Sequence, residues 1–333
     1  MAASTRLVLL PADDGMHEHS GEANFNESAY YNFYDSGARL GGFVRLGNRA
    51  NEGYAEMTVC LYLPDGRVAF MYGRPAIADN ERFAAGGLAF EVKTPFVEHA
   101  IRYDGSCVVL ERPLDLFDPR RAFTENPHVP VTIALRYDGR SPAFGGEPRT
   151  EQDGRWVSVR LEKGGQEFAR GHLEQHGRAA GTVTIGDVAH RVDGFGLRDH
   201  SWGPRYWQAP RYYRWLTMNF DDDAGIAAAL TVQRDGREMQ GGYIYRRGAE
   251  NRLIERVEVE TGYAEPDHLH DRIRATLHPV DGSPERVEGR VLRMVPLRNR
   301  RGGVTTRIAE GLTEWTWGDR TGYGWSEYLD HAD

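Results

Sequence analysis

The chain reads as an all-β protein built from two antiparallel units. Three observations predict this. Asp-Gly and Gly-Gly pairs recur between short apolar runs, supplying the positive φ that tight turns need. Helical periodicity is nearly absent, so the long crossovers of a parallel sheet cannot be built. Finally, 333 residues exceed one ordinary domain and suit two.

The hairpins follow in order. Tyr54 to Tyr62 turns at Pro64-Asp65-Gly66 and returns through Val68 to Tyr72. Ile101 to Leu110 is expected to turn at Asp104-Gly105. Val131 to Tyr137 ends at Asp138-Gly139, and Trp156 to Leu161 ends at Lys163-Gly164-Gly165. In the second half Ile226 to Gln233 meets Asp235-Gly236, Tyr243 to Tyr245 and Ile254 to Val259 follow, and Ile273 to Leu277 leads to Asp281-Gly282. Ser141 to Asp153, rich in Gly, Pro and charge, is expected to be a loop, and Asp79 to Ala85 could form a turn or two of helix. The division between units is placed after residue 175, giving units 1–175 and 176–333. Periodicity leaves barrel and sandwich open, although closure into a barrel would remove exposed edges.

Composition narrows the function classes. A net charge of −8 argues against nucleic acid as a partner. No window approaches the ~20 apolar residues of a membrane span, so stable membrane insertion is not expected. Leu7-Val8-Leu9-Leu10 is too short for a secretory core, and Pro11-Ala12-Asp13-Asp14 follows where a cleavage site would lie. Cys60 and Cys107 sit singly in apolar runs and read as reduced core thiols. A cytoplasmic location is therefore expected.

The densest chemistry lies in Gly194-Phe195-Gly196-Leu197-Arg198-Asp199-His200-Ser201-Trp202-Gly203-Pro204-Arg205-Tyr206-Trp207. Asp199 and His200 suggest acid–base work. Adjacent residues on a strand face opposite ways, so both reach one cavity only if the backbone bends, for which Gly194, Gly196, Gly203 and Pro204 are candidates. Trp202, Trp207, Tyr213 and Trp215 could flank a developing cation, each worth roughly 0.5–2 kcal/mol, or simply fill an interface. Arg198 and Arg205 could tune the acid or orient a polar substrate group, or pair with Asp199 as structure. Glu314 and Glu327, set among Trp315, Trp317 and Trp325, are secondary acid candidates, because indole walls would raise a carboxyl pKa.

Other motifs read as structure. His17-Glu18-His19 and His268-Leu269-His270-Asp271 lack a zinc site's spacing and are taken as surface histidines; no metal and no cofactor is expected. Gly41-Gly42-Phe43-Val44-Arg45-Leu46-Gly47 lacks the ending of a phosphate loop and reads as a turn, as do Gly322 and Gly324. No Gly-x-Ser-x-Gly elbow occurs.

The stretch from His172-Leu173-Glu174-Gln175-His176-Gly177-Arg178 to Asp199-His200-Ser201-Trp202-Gly203 resembles the tandem lipocalin-like superfamily. This group includes carotenoid 1,2-hydratases, hydroxyneurosporene synthases and AttH-like proteins, and tocopherol cyclases and fungal Diels–Alderases share its wider architecture. Tyr30-Tyr31-Asn32-Phe33-Tyr34-Asp35 and Gly322-Tyr323-Gly324-Trp325-Ser326-Glu327-Tyr328 support the likeness. The resemblance implies two calycin-like barrels with an apolar cavity at their junction. It also implies cofactor-independent hydration, dehydration, isomerisation or cyclisation of a terpenoid-, steroid- or polyketide-like molecule. The additional Tyr and Asp positions of carotenoid hydratases find no acid in Ile226 to Gln233, so carotenoid hydration itself is not implied. The alternative is a non-catalytic lipocalin-like carrier of a hydrophobic molecule. Oligomeric state is left open.

Overall fold

A computed structural model describes residues 5–19, 21, 23–159, 169–301 and 303–331. Eight antiparallel strands form the first barrel: β1 (Glu27–Asp35), β2 (Leu40–Arg49), β3 (Tyr54–Tyr62), β4 (Val68–Gly73), β5 (Glu98–Leu110), β6 (His128–Gly139), β7 (Gly171–Ile185) and β8 (Val188–Trp202). Each pairs with its successor, and β8 returns to β1, which closes the ring. Eight more repeat the plan: β9 (Pro210–Phe220), β10 (Ala224–Gln233), β11 (Glu238–Arg246), β12 (Arg252–Ala264), β13 (Leu269–Pro279), β14 (Glu285–Arg301), β15 (Val304–Trp317) and β16 (Arg320–His331), closed by β16 on β9.

The division between barrels therefore differs from the expected cut after residue 175. β7 and β8 complete the first barrel, and the chain crosses between Trp202 and Pro210. Several local expectations also change. Asp104-Gly105 continues β5 instead of turning, because β6 pairs with both residues. Ser141 to Asp153 is mostly strand: Phe144–Gln152 pairs with Arg6–Val8, with β7 and with Arg155–Ser158. The Gly41-Gly42 and Gly322/Gly324 segments lie inside β2 and β16, where a Cβ would strike the neighbouring backbone. No helix forms at Asp79 to Ala85; Phe83–Ala85 pairs with Leu88–Thr94. Helix occurs instead between β5 and β6, as a 3-10 turn (Pro113–Phe117) and an α-helix (Pro119–Glu125) capped by the Asp118 side chain. The Lys163-Gly164-Gly165 turn lies outside the described residues.

Alternation along β1 explains why both faces are apolar. Tyr31 and Phe33 point into the first barrel with Val44, Val59 and Ile101. Tyr30 points outward, joining Phe43, Cys60, Tyr62 and Phe70 against Val295, Leu312 and Trp325 of the second barrel. The second barrel's own core is Leu216, Ile226, Ile244, Ile273 and Trp315. Both cysteines are buried free thiols. No described helix is long and apolar enough to cross a membrane.

The first barrel's interior also holds charge. The turn Pro11–Asp14 tucks Asp13 and Asp14 inside, each 2% exposed. Arg149 forks onto Asp13 at 2.7 Å through two nitrogens, and Arg198 meets Asp14 at 2.6 Å. Each buried carboxylate is thus paired, which its desolvation demands.

Candidate active site

The motif strand β8 carries two chemistries on its two faces. Arg198, His200 and Trp202 point into the first barrel and are almost fully buried. Arg198 donates to Asp14 and Gln175. His200 Nε2 lies 3.0 Å from Glu27 Oε1. Trp202 stacks on His17 at 3.9 Å and donates to Glu147 Oε2 at 3.1 Å. Asp199 points the other way. The expected Asp199–His200 partnership therefore does not form. Gly194 and Gly196 do not bend the strand; they let it pass β1, where a Cβ at Gly196 would lie 1.8 Å from the Asn32 carbonyl. The bend comes only at Gly203, with φ +110°.

Asp199 faces a cavity of about 980 Å³ between the barrels. The first barrel's outer wall contributes Tyr30, Arg45, Glu56, His172, Glu174 and Asp199. The crossing segment adds Arg205 and Trp207, and the second barrel adds Tyr213, Trp215, Glu310 and Glu327. Phe123 and Leu116 of the helical segment cover an apolar end. Six of the residues singled out in the sequence thus converge: Asp199, Arg205, Trp207, Tyr213, Trp215 and Glu327. Arg198, His200, Trp202 and Glu314 lie elsewhere; Glu314 pairs with Arg290 at 2.8 Å and lines a separate, polar depression.

His172, Glu174 and Glu310 were not singled out. His172 and Glu174 stand two apart on β7, a period that puts both on one face beside Asp199, with which Glu174 is in register. His172 Nε2 hydrogen-bonds Asp199 Oδ2 and stands 3.7 Å from Glu174 Oε1. Burial works against the imidazolium, but the charge and hydrogen bond of Asp199 outweigh it and raise the His172 pKa to about 9. Burial likewise opposes ionisation of Asp199, yet His172 and then Arg205 hold its pKa below the usual value. The pair is therefore ionic at neutral pH. Burial raises the Glu174 pKa, and Trp215 Nε1 donates to this carboxyl at 2.7 Å.

Across the cavity Glu310 and Glu327 lie directly opposite each other on β15 and β16. Burial pushes both carboxyls up to about 8, helped at Glu327 by the nearby Asp199 charge. Tyr213 donates its hydroxyl to Glu327 Oε1. Arg205 and Arg45 sit over the Trp207 ring at 5.2 and 5.5 Å. Burial, with Arg45 nearby, lowers Arg205 to about 10, still charged at neutral pH.

Among the described residues, two clusters place three metal-ligating atoms within 4.8 Å of one another: His172, Glu174 and Asp199 in the cavity, and His17, Glu27 and His200 inside the first barrel. In the inner cluster both Glu27 oxygens already accept hydrogen bonds, from His17, His200 and Asn80. His17 and His270 are thus not the surface residues expected. His270 is 2% exposed and bonds Ser326 Oγ at 2.9 Å inside the second barrel.

A cavity framed by two tandem lipocalin-like barrels, with an ion pair on one wall and neutral carboxyls on the other, defines the class. The chain belongs to the DUF7064 family, a domain of unknown function, which it matches over residues 10–332. No curated protein matches it in sequence. Among solved structures it is similar to a Nitrosomonas europaea protein provisionally assigned as AttH, with TM-score 0.63, 14% identity, and 97% of this chain and 96% of that one covered. It is also similar to kievitone hydratase from Nectria haematococca, with TM-score 0.55, 9% identity and 95% and 93% covered. CghA with Sch210972 gives TM-score 0.52, 13% identity and 92% and 88% covered. At such identities the likeness is one of fold, and it is the fold that the central motif implies.

Proposed function

We propose that the chain is a lyase or isomerase that moves protons on an apolar, unsaturated small molecule held between the barrels. The observation that carries this reading is the His172–Asp199 ion pair opening onto the junction cavity. In the scheme His172, kept protonated by Asp199, gives its proton to an alkene carbon or a departing hydroxyl. The cation formed lies among Trp207, Trp215 and Tyr30. Neutral imidazole then takes a proton back, either from attacking water, giving hydration, or from a neighbouring carbon, giving a shifted or cyclised alkene. Dehydration is the reverse of hydration. Asp199 changes role from the proton donor expected in the sequence to the group that charges the donor. Glu327, neutral below about pH 8, is a second acid on the facing wall. The name of kievitone hydratase supports hydration chemistry on this fold.

The test is a thermal-shift panel of terpenoids, steroids and polyketides, followed by incubation of stabilising ligands in deuterium oxide. Deuterium should enter one carbon of a ligand, and His172→Ala and Asp199→Asn should abolish that exchange while leaving affinity intact. Binding without exchange or turnover would instead identify a carrier.

A further inference from the structure

Glu310 is 4% exposed and lines the cavity, yet its Oε2 is fully buried and has no hydrogen-bond partner in the protein. Buried polar atoms are nearly always satisfied, so an unsatisfied carboxyl oxygen on a cavity-lining residue marks a place for a ligand atom. The groups facing Glu310 are Tyr30 on β1, Arg45 on β2, Cys60 and Tyr62 on β3 and Glu327 on β16. None of them is hydrogen-bonded to its Oε2. Tyr62 spends its hydroxyl on the Glu310 backbone carbonyl at 3.0 Å. Arg45 is directed to Glu56 at 3.5 Å and Asn26 at 3.4 Å. Two carboxylates directly opposite on neighbouring strands would repel, which favours a neutral pair. A neutral carboxyl offers an O–H donor, and Glu310 Oε2 has no partner among the described residues.

We infer that Glu310 binds a neutral carbonyl oxygen of the substrate, so that the natural ligand is an oxygenated molecule such as an enone and not a bare hydrocarbon. The inference rests on the proposed reading of the cavity as a ligand site. It also sharpens that reading: an oxygen anchored at Glu310 would fix which end of the molecule approaches His172.

Two matched probes test it: β-ionone, an enone, and its carbonyl-free hydrocarbon counterpart, each followed by quenching of tryptophan fluorescence. One neutral hydrogen bond should favour the enone by about three- to ten-fold. Glu310→Leu should erase that preference while keeping hydrocarbon affinity, and Glu310→Gln, which retains an N–H donor, should keep most of it. The preference should also fade as pH rises through about 8, where the carboxyl loses its proton. A ligand-free check is difference infrared spectroscopy of wild type against Glu310→Gln, which should show a protonated carboxyl band at neutral pH. Equal binding of the two probes, or a preference that survives Glu310→Leu, overturns the inference and leaves the cavity reading standing. Failure of both probes to quench fluorescence or raise the melting temperature overturns both.

Discussion

Two histidine–carboxylate clusters stand on opposite faces of the strand Val188–Trp202, and they differ in one respect. The inner one, His17, Glu27 and His200, has both Glu27 oxygens bonded, and Trp202 closes over the ring of His17. The outer one, His172, Glu174 and Asp199, has similar ingredients but lines the cavity between the barrels. Residue types alone would rank the two alike. What separates a structural ion network from a reactive one is whether a foreign atom can reach it.

The contrast can be broken most sharply by mutation on each face. Asp199→Asn and His172→Ala should lower turnover by roughly 10²–10⁴-fold, the usual reach of general acid catalysis, with little change in the urea midpoint. His200→Asn should do the reverse and lower that midpoint without a selective loss of kcat. Next in size, Glu27→Ala should cost about 3–5 kcal/mol in urea unfolding, since it strands two histidines in the barrel interior.

A pH series sharpens the comparison through opposite signs. Glu27 has its pKa lowered from 4.5 to about 2 despite burial, by hydrogen bonds and charge from His17 and His200. Its contribution to stability is present above about pH 4.5 and is lost as pH falls towards 2. Glu310 has its pKa raised from 4.5 to about 8, so its contribution is full below about pH 4.5 and is lost as pH rises through 8. Glu310→Gln should therefore flatten the alkaline side of the stability profile by a few kcal/mol at most, at about 1.4 kcal/mol per pKa unit. Urea unfolding at stepped pH reads both. The smallest effect belongs to the aromatic wall: Trp207→Leu should weaken a cationic or polarisable ligand by roughly 0.5–2 kcal/mol in a fluorescence titration.

Much of the fold was legible because its turns are made by Asp-Gly and Pro-Asp-Gly, which declare themselves locally. Tyr54–Tyr62 and Val68–Gly73 emerge almost as read. Errors arose where the same residue types serve tertiary contact. Asp104-Gly105 is a turn by composition and a strand by pairing, and the glycines of Phe144–Gln152 lie in an added strand. The site was half legible. Asp199, Arg205, Trp207, Tyr213 and Trp215 cluster in sequence, whereas His172 and Glu310 arrive from other strands through barrel closure. The signal available for the former was His172-Leu173-Glu174, an i, i+2 pair aligned with one strand face. Glu310 carries no local signal. Its meaning comes from lying opposite Glu327, which only the register reveals.

The turn at Pro11–Asp14 has a further bearing on where this architecture places its cavity. In a simple lipocalin the barrel's own mouth receives the ligand. Here the turn Pro11–Asp14 is tucked inside the first barrel, pinned by Arg149 and Arg198. The cavity lies instead at the seam, where each barrel contributes a wall. Separating the halves between Trp202 and Pro210 would dismantle the chamber even if both barrels kept their shape.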